Sequence, residues 1–328
     1  MKLSVLDLCP VIEGGTPADS FRNTLDLAQH AERWGYNRYW LAEHHNMPGI
    51  ASSATSVVIG YVAAGTSKIR VGSGGIMLPN HAPLVIAEQF GTLESMFPGR
   101  IDLGLGRAPG SDQQTARALR RDLRGGLEFP ELLEELRSFL NPVERKAVRA
   151  FPGEGLTIPI WLLGSSDFSA RLAGQLGLPF AFASHFSPDF TLPALALYRS
   201  SFEPSEWLEE PYTMVGVNVV AADDGDEARF HSTSMQQQFL SLVRGRPGLL
   251  QPPVKNMDEL WSEYERRAIE PKLQASIVGS PNEVKSKLEA FQKVTKADEM
   301  MVNAQIFDHQ ARIRSYEIVS ELFPQEND

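Results

Sequence analysis

Residues 84–97 carry apolar side chains at Leu84, Val85, Ala87, Phe90, Leu93 and Phe97, the three- and four-residue steps of a helix with one buried face. Pro98 and Gly99 stop that helix. Short apolar runs flank it, residues 69–71 before and 101–105 after, and Gly72, Gly74 and Gly75 break the first run. A strand, a helix and a strand of these lengths predict two parallel strands joined by a crossover helix. The alternation recurs along the whole chain, with strands predicted near positions 3, 39, 70, 102, 160, 181, 217 and 301, each followed by a helix. Eight such repeats predict a (β/α)8 TIM barrel rather than a doubly wound sheet. The dinucleotide fingerprint is missing, because Gly104-x-Gly106 is followed three residues later by Pro109.

Some stretches depart from the repeat. Residues 52–67, SSATSVVIGYVAAGTS, form a predicted helix without a charged residue, so both its faces are expected to be covered. Residues 111–140 read as helical and highly charged, interrupted at Gly125-Gly126. Residues 245–256, GRPGLLQPPVKN, form a loop too long for a turn, the kind of insertion that supplies a lid or pocket wall at the C-terminal face of a barrel. A helix is predicted over 258–269 beyond it.

Charge and cysteine content narrow the function. The net charge of −10, from 31 basic and 41 acidic residues, argues against nucleic acid, and no basic cluster suggests an anionic membrane. A single cysteine, Cys9, excludes an internal disulfide and a cysteine metal cluster. No run has the length of a membrane span, and the N-terminal apolar run is too short for a signal peptide. The expectation is a cytoplasmic enzyme or binding protein.

In a barrel of this kind chemistry sits at the C-terminal ends of the strands. His44 and His45 close the second strand, and adjacent residues face opposite ways, so at most one enters the mouth. A neutral imidazole there can shuttle protons, or it can simply bond a neighbouring loop. Glu43, His44, His81 and His185 all lie at strand ends, but no pair has the spacing of a metal motif, and no metal is assigned. Gly74-Gly75 lets a flat group approach the backbone, or else merely turns the chain. Arg107 ends the fourth strand, where it can meet a phosphate or pair with Glu43 or Asp102. Gly164, Ser165 and Ser166, with Ser169 beyond them, open a helix and offer free amides and hydroxyls to an anion, or a plain N-cap. A phosphate seat, a flat floor and a histidine on neighbouring strands suggest flavin mononucleotide, FMN.

The motifs WLAEHHN (40–46), VGSGGIMLPNHAP (71–83), FPGRIDLGLGR (97–107), PIWLLGSSDFSARLAGQLGLP (159–179) and IVGSPNEV (277–284) resemble the bacterial luciferase-like, flavin-dependent monooxygenase family over nearly the whole chain. The resemblance implies one TIM-barrel domain over residues 1–328 that binds FMN or the deazaflavin F420. It puts the active-site histidine on His44, a non-proline cis peptide beneath the flavin on Gly74-Gly75, and phosphate contacts on Arg107, Ser165, Ser166 and Ser169. The luciferases proper carry an acidic residue at the place of Ser165, a cysteine at the place of Gly106 and a longer connection between the fourth and fifth strands. These differences speak against light emission and long-chain aldehyde specificity. The reading is a monooxygenase that takes reduced FMN from a separate reductase and uses O2 on a small organic substrate. Its alternatives are an F420-dependent dehydrogenase or reductase and a non-catalytic flavin-binding subunit. The uncharged helix, with Ser56, Gly60 and Ala64 at every fourth position, predicts a homodimer with Gly60 near the contact; a loop of the same chain is the competing cover. The resemblance points to pairing through the helices after the second and third strands.

Overall fold

The computed structural model describes residues 1–108, 113–121, 126–141 and 147–324. In chain order the elements are β1 (Lys2–Asp7), α1 (Pro17–Arg33), β2 (Arg38–Leu41), α2 (Thr55–Ala64), β3 (Arg70–Ser73), β4 (Ile76–Met77), α3 (Pro83–Met96) and β5 (Ile101–Gly106). Then come α4 (Gln113–Ala118), α5 (Phe129–Leu140), β6 (Ile160–Gly164), α6 (Asp167–Gln175), β7 (Phe180–Phe182), α7 (Thr191–Ser200) and β8 (Thr213–Ala221). The chain continues through α8 (Gly225–Val243), α9 (Glu263–Ala275), β9 (Ile277–Gly279), α10 (Pro281–Thr295), β10 (Glu299–Asn303) and α11 (His309–Leu322). The strands run β10-β1-β2-β3-β5-β6-β7-β8, all parallel, and β8 pairs with β10 to close the barrel. This is the (β/α)8 barrel that the alternation predicts.

Two apolar cores hold it. One lies between the sheet and the helices, where Leu27, Ile59, Ile86, Phe90, Leu133 and Tyr198 are buried against the outward faces of the strands. The other fills the barrel with Leu6, Trp40, Trp161, Met214 and Met301. Trp161 stands edge-on to Trp40 at 5.2 Å and to Tyr212 at 5.6 Å. Below these rings, at the N-terminal ends of the strands, Arg38 joins Asp102 at 2.7 Å and Glu299 at 3.1 Å, and its guanidinium lies 4.8 Å from the Trp161 ring. Buried carboxylates are costly unless their oxygens find donors. Here Arg70, Trp40 and Tyr212 supply further ones.

Local chemistry sets the helix starts. Capping boxes begin α1 at Thr16 and Asp19, α9 at Ser262 and Glu265, and α10 at Ser280 and Glu283. The α9 box explains a departure from the sequence expectation: a 3-10 turn occupies Met257–Glu259, and the helix starts only after Ser262. It then runs on through Pro271, on an exposed face where water can take up the carbonyl left without a donor. Of the charged stretch 111–140, α4 and α5 are helical, whereas Ser111 and Gly125 lie outside the described residues.

The uncharged helix is shorter than predicted, and its outward side is open in the single chain: Val57 is 70% exposed and Tyr61 43%. Gly60 is half-buried beside α3. A side chain there would meet Leu93 of α3 at 3.4 Å, an ordinary van der Waals contact. Among the described residues no helix is long and apolar enough to cross a membrane.

Candidate active site

At the C-terminal end of the barrel the strand exits diverge, and short-range sterics decide where each chain goes. The peptide between Gly74 and Gly75 is cis. Strand β5 pairs with β3 through Val71 and Gly72, then with β4 through Ile76 and Met77. Across the jog the Ser73 hydroxyl donates to the Gly104 carbonyl at 2.8 Å and accepts from the Gly104 amide at 3.0 Å, in place of ladder bonds. A side chain at Gly75 would stand 2.6 Å from the Gly104 carbonyl oxygen, and one at Gly74 2.8 Å from Leu6. Close packing against Gly104 and Leu6 thus leaves no room for a side chain at either glycine of the jog.

Beyond β2, Glu43 is 1% exposed. His45 Nε2 lies 2.8 Å from its Oε1, His81 Nε2 lies 2.9 Å from Oε1 and 3.0 Å from Oε2, and the Met77 amide donates to Oε2 at 3.1 Å. Burial by itself raises the pKa of such a carboxyl; the two imidazoles and the amide overcome it and bring the value down to about 2. The same bond to Glu43 raises the pKa of His45.

His44 goes the other way and neighbours His185, whose pKa burial, and then the charge of His44, push down to about 4. His45 thus bonds Glu43, whereas His44 acts electrostatically on His185. The His185 ring lies across Gly216 of β8: a side chain at that glycine would come within 2.2 Å of Nδ1. Asn218 donates to the His185 carbonyl at 3.0 Å. Of the four strand-end residues weighed as metal ligands, Glu43 and His81 meet, with His45 as the third member, while His44 and His185 stand apart from them.

Arg107 follows β5, and its guanidinium carbon lies 4.4 Å from the ring centre of Phe168, in the first turn of α6. Gly106 pairs with Leu163, so the Arg107 exit and the Gly164-Ser165-Ser166 turn are neighbours. Ser166 is the N-cap of α6, but its hydroxyl makes no capping bond, and the first-turn amides of a helix have no partner within it. Ser169 is 3% exposed and packs against Gly164. The two carboxylates weighed as partners for Arg107 are engaged elsewhere, Asp102 with Arg38 and Arg70, Glu43 with its histidines. A permanent cation, helix-start amides and uncommitted hydroxyls fit a flavin phosphate.

The loop over 245–256 is a wall tied to the β1 exit. Leu250 donates to the Val11 carbonyl at 2.9 Å and accepts from the Glu13 amide at 2.8 Å, while Gly49 lies so close to Gly248 that a side chain there would be 2.1 Å from its carbonyl oxygen.

The family model for luciferase-like monooxygenases matches residues 1–296. The chain belongs to the luciferase-like monooxygenase family. A luciferase-like monooxygenase of Escherichia coli strain K12 is 56% identical over 321 residues, 97% of this chain and 96% of the relative. N-acetyl-S-alkylcysteine monooxygenase of Bacillus subtilis is 33% identical, over 98% of each chain. Among solved structures apo-MsnO8 superposes with a TM-score of 0.88, 35% identity and 99% coverage of both chains. Two further solved structures share the fold alone: the oxygenating constituent of 3,6-diketocamphane monooxygenase in complex with FMN (TM-score 0.73, 17% identical, 99% of each chain), and an F420-dependent secondary alcohol dehydrogenase in complex with an F420-acetone adduct (TM-score 0.74, 15% identical, 100% of this chain and 99% of the other).

Sequence reasoning put His44, the glycine pair, Arg107 and the serine turn at strand ends, where the structure has them, but did not join Glu43 to its partners. His45 and His81 lie 2 and 38 residues from it, and nothing in their spacing announces that they share one carboxylate. The EHH run was the available signal, and it pointed only to strand-end chemistry.

Proposed function

We propose that this luciferase-like monooxygenase uses reduced FMN, delivered by a separate reductase, and O2 to oxygenate a small organic substrate. The observation that carries the reading is Arg107 stacked on the first turn of α6, next to a serine N-cap whose hydroxyl is not spent on capping. FMN is preferred to F420 because the relatives at 56% and 33% identity bear monooxygenase names, whereas the F420 enzyme shares the fold at 15%. Reduced flavin supplies the electrons that activate O2. Arg107, the α6 amides and the hydroxyls of Ser165 and Ser166 hold the phosphate, with Gly164 and Ser169 shaping the turn. Gly74 and Gly75 leave room for the flat ring, His44 holds or moves a proton at an imidazole nitrogen, and the 245–256 wall helps exclude water. His44 and Arg107 together speak against a non-catalytic support role.

Calorimetric titration with FMN and with F420 tests the cofactor. Arg107→Ala should weaken FMN by about 2–4 kcal/mol, the range for truncating one partner of a desolvated charge pair. Equal affinities of variant and parent refute the phosphate assignment. Turnover with reduced FMN and O2 on aldehydes, ketones, sulfonates, aromatics and thioethers, the last suggested by the S-alkylcysteine relative, identifies the substrate class. The assembly is a homodimer in this reading, formed through the open apolar face of α2 and the neighbouring exposed Val85 and Met96 of α3.

A further inference from the structure

The ladder between β2 and β3 ends at Leu41 opposite Ser73, and its last bond runs from the Gly74 amide to the Leu41 carbonyl at 2.8 Å. Past that point β4 pairs with β5 alone. The exit of β2, which carries His44, and the segment after Gly75 would then be free to separate. Among the described hydrogen bonds, those that tie them back together converge on Glu43 of the β2 exit, from Met77 in β4 and from His81 in the turn before α3, while His45, two residues along the same exit, bonds the same carboxylate locally. An ionised carboxylate only accepts, so both imidazole Nε2 atoms are the donors. Two imidazoles and a carboxylate are also a familiar metal-ligand set. Here each Nε2 already faces a carboxylate oxygen at hydrogen-bond distance, and no buried side-chain atom of the three lacks a partner, so the cluster is complete without an ion.

We propose that Glu43 is a positioning residue of the flavin site: its carboxylate fixes the separation between His44 and the Gly74-Gly75 floor. Its effect on flavin rests on the FMN reading above; its grip on Met77 does not. Glu43→Gln keeps the size but loses the charge and replaces one acceptor oxygen with a donor. In the ligand-free chain the Met77 amide should exchange with deuterium about tenfold faster or more in this variant, the scale of one charge-assisted hydrogen bond. In the FMN-loaded chain the dissociation constant should rise by about the same factor, and the visible circular dichroism of the bound ring should change. His81→Gln, which can still donate to Glu43, should stay near the parent in both readouts, whereas His81→Leu should not. That pair carries the test if Glu43→Gln does not fold. Unchanged exchange at Met77, FMN affinity and dichroism in Glu43→Gln and His81→Leu overturn the proposal. So does tight binding of Zn2+ alone to the parent that His81→Leu abolishes, because the carboxylate is then a ligand. A parent that binds no FMN defeats the flavin reading instead, and the Met77 amide then decides whether Glu43 clamps the segment.

Discussion

Stacking on Phe168 fixes the plane of the Arg107 guanidinium through its face, which leaves its edge of N–H groups to meet an anion. His44 acts electrostatically on His185, whereas Arg107 stacks on α6, so His44→Ala should keep FMN affinity and lose about 10²–10⁴-fold in turnover. Unchanged product formation in stopped flow would move the proton role to another residue. His185 itself makes stability depend on pH. Its folded pKa, near 4, lies below the value of about 6.5 for a free imidazole, so between those limits the unfolded chain binds more protons. Its contribution is complete above about pH 6.5 and is lost as the pH falls towards about 4. The urea midpoint of the parent should therefore drop more between about pH 7 and about pH 5 than that of His185→Gln. At this scale the sequence showed residues that lie at strand ends. It did not show that Gly216 is glycine because a ring from the β7 exit lies over it, since that contact joins positions on two strands and leaves no periodic trace.

Elements were legible where periodicity is long and blurred where a few bonds decide. All eight barrel strands stand where the apolar runs placed them, because strands buried on both faces are mostly apolar, with Arg38, Asp102 and Glu299 as exceptions that pair among themselves. The two-residue β4 and the three-residue β9 carry too few side chains to show a period. The turn between α2 and β3 owes its shape to one side chain, Glu32 of α1, whose carboxylate accepts the amides of Ser67, Lys68 and Ile69 at 2.8, 2.5 and 2.9 Å. Burial raises the pKa of that group, but the three amides win and lower it. Glu32→Ala should cost about 1–3 kcal/mol by leaving those donors to compete for water, measured by denaturant unfolding. A loss within the error of the parent would show that the turn holds itself.

For the whole molecule, counting the repeats predicted a barrel, and the pairing of β8 with β10 closes it. Gly60 packs against Leu93 inside the chain, and the open face is made by Val57 and Tyr61, an i, i+4 pair. A valine 70% exposed on an uncharged helix is costly to leave in water. The parent should sediment as a dimer at micromolar concentration, and Val57→Arg should give a monomer with the thermal midpoint little changed. A monomeric parent refutes the dimer without any variant.

Traffic through this molecule is one-ended. Trp40, Trp161 and Tyr212, seated on the Arg38, Asp102 and Glu299 network, fill the lower barrel, so the well has a bottom. Guests that share a single doorway must queue: the first to enter lies deepest and is the last to leave. In the reading proposed above, a flavin recharged elsewhere and lying beneath its substrate would depart only once that substrate had gone. On that reading the pace of the cycle would depend on departures through that doorway as well as on the chemistry inside.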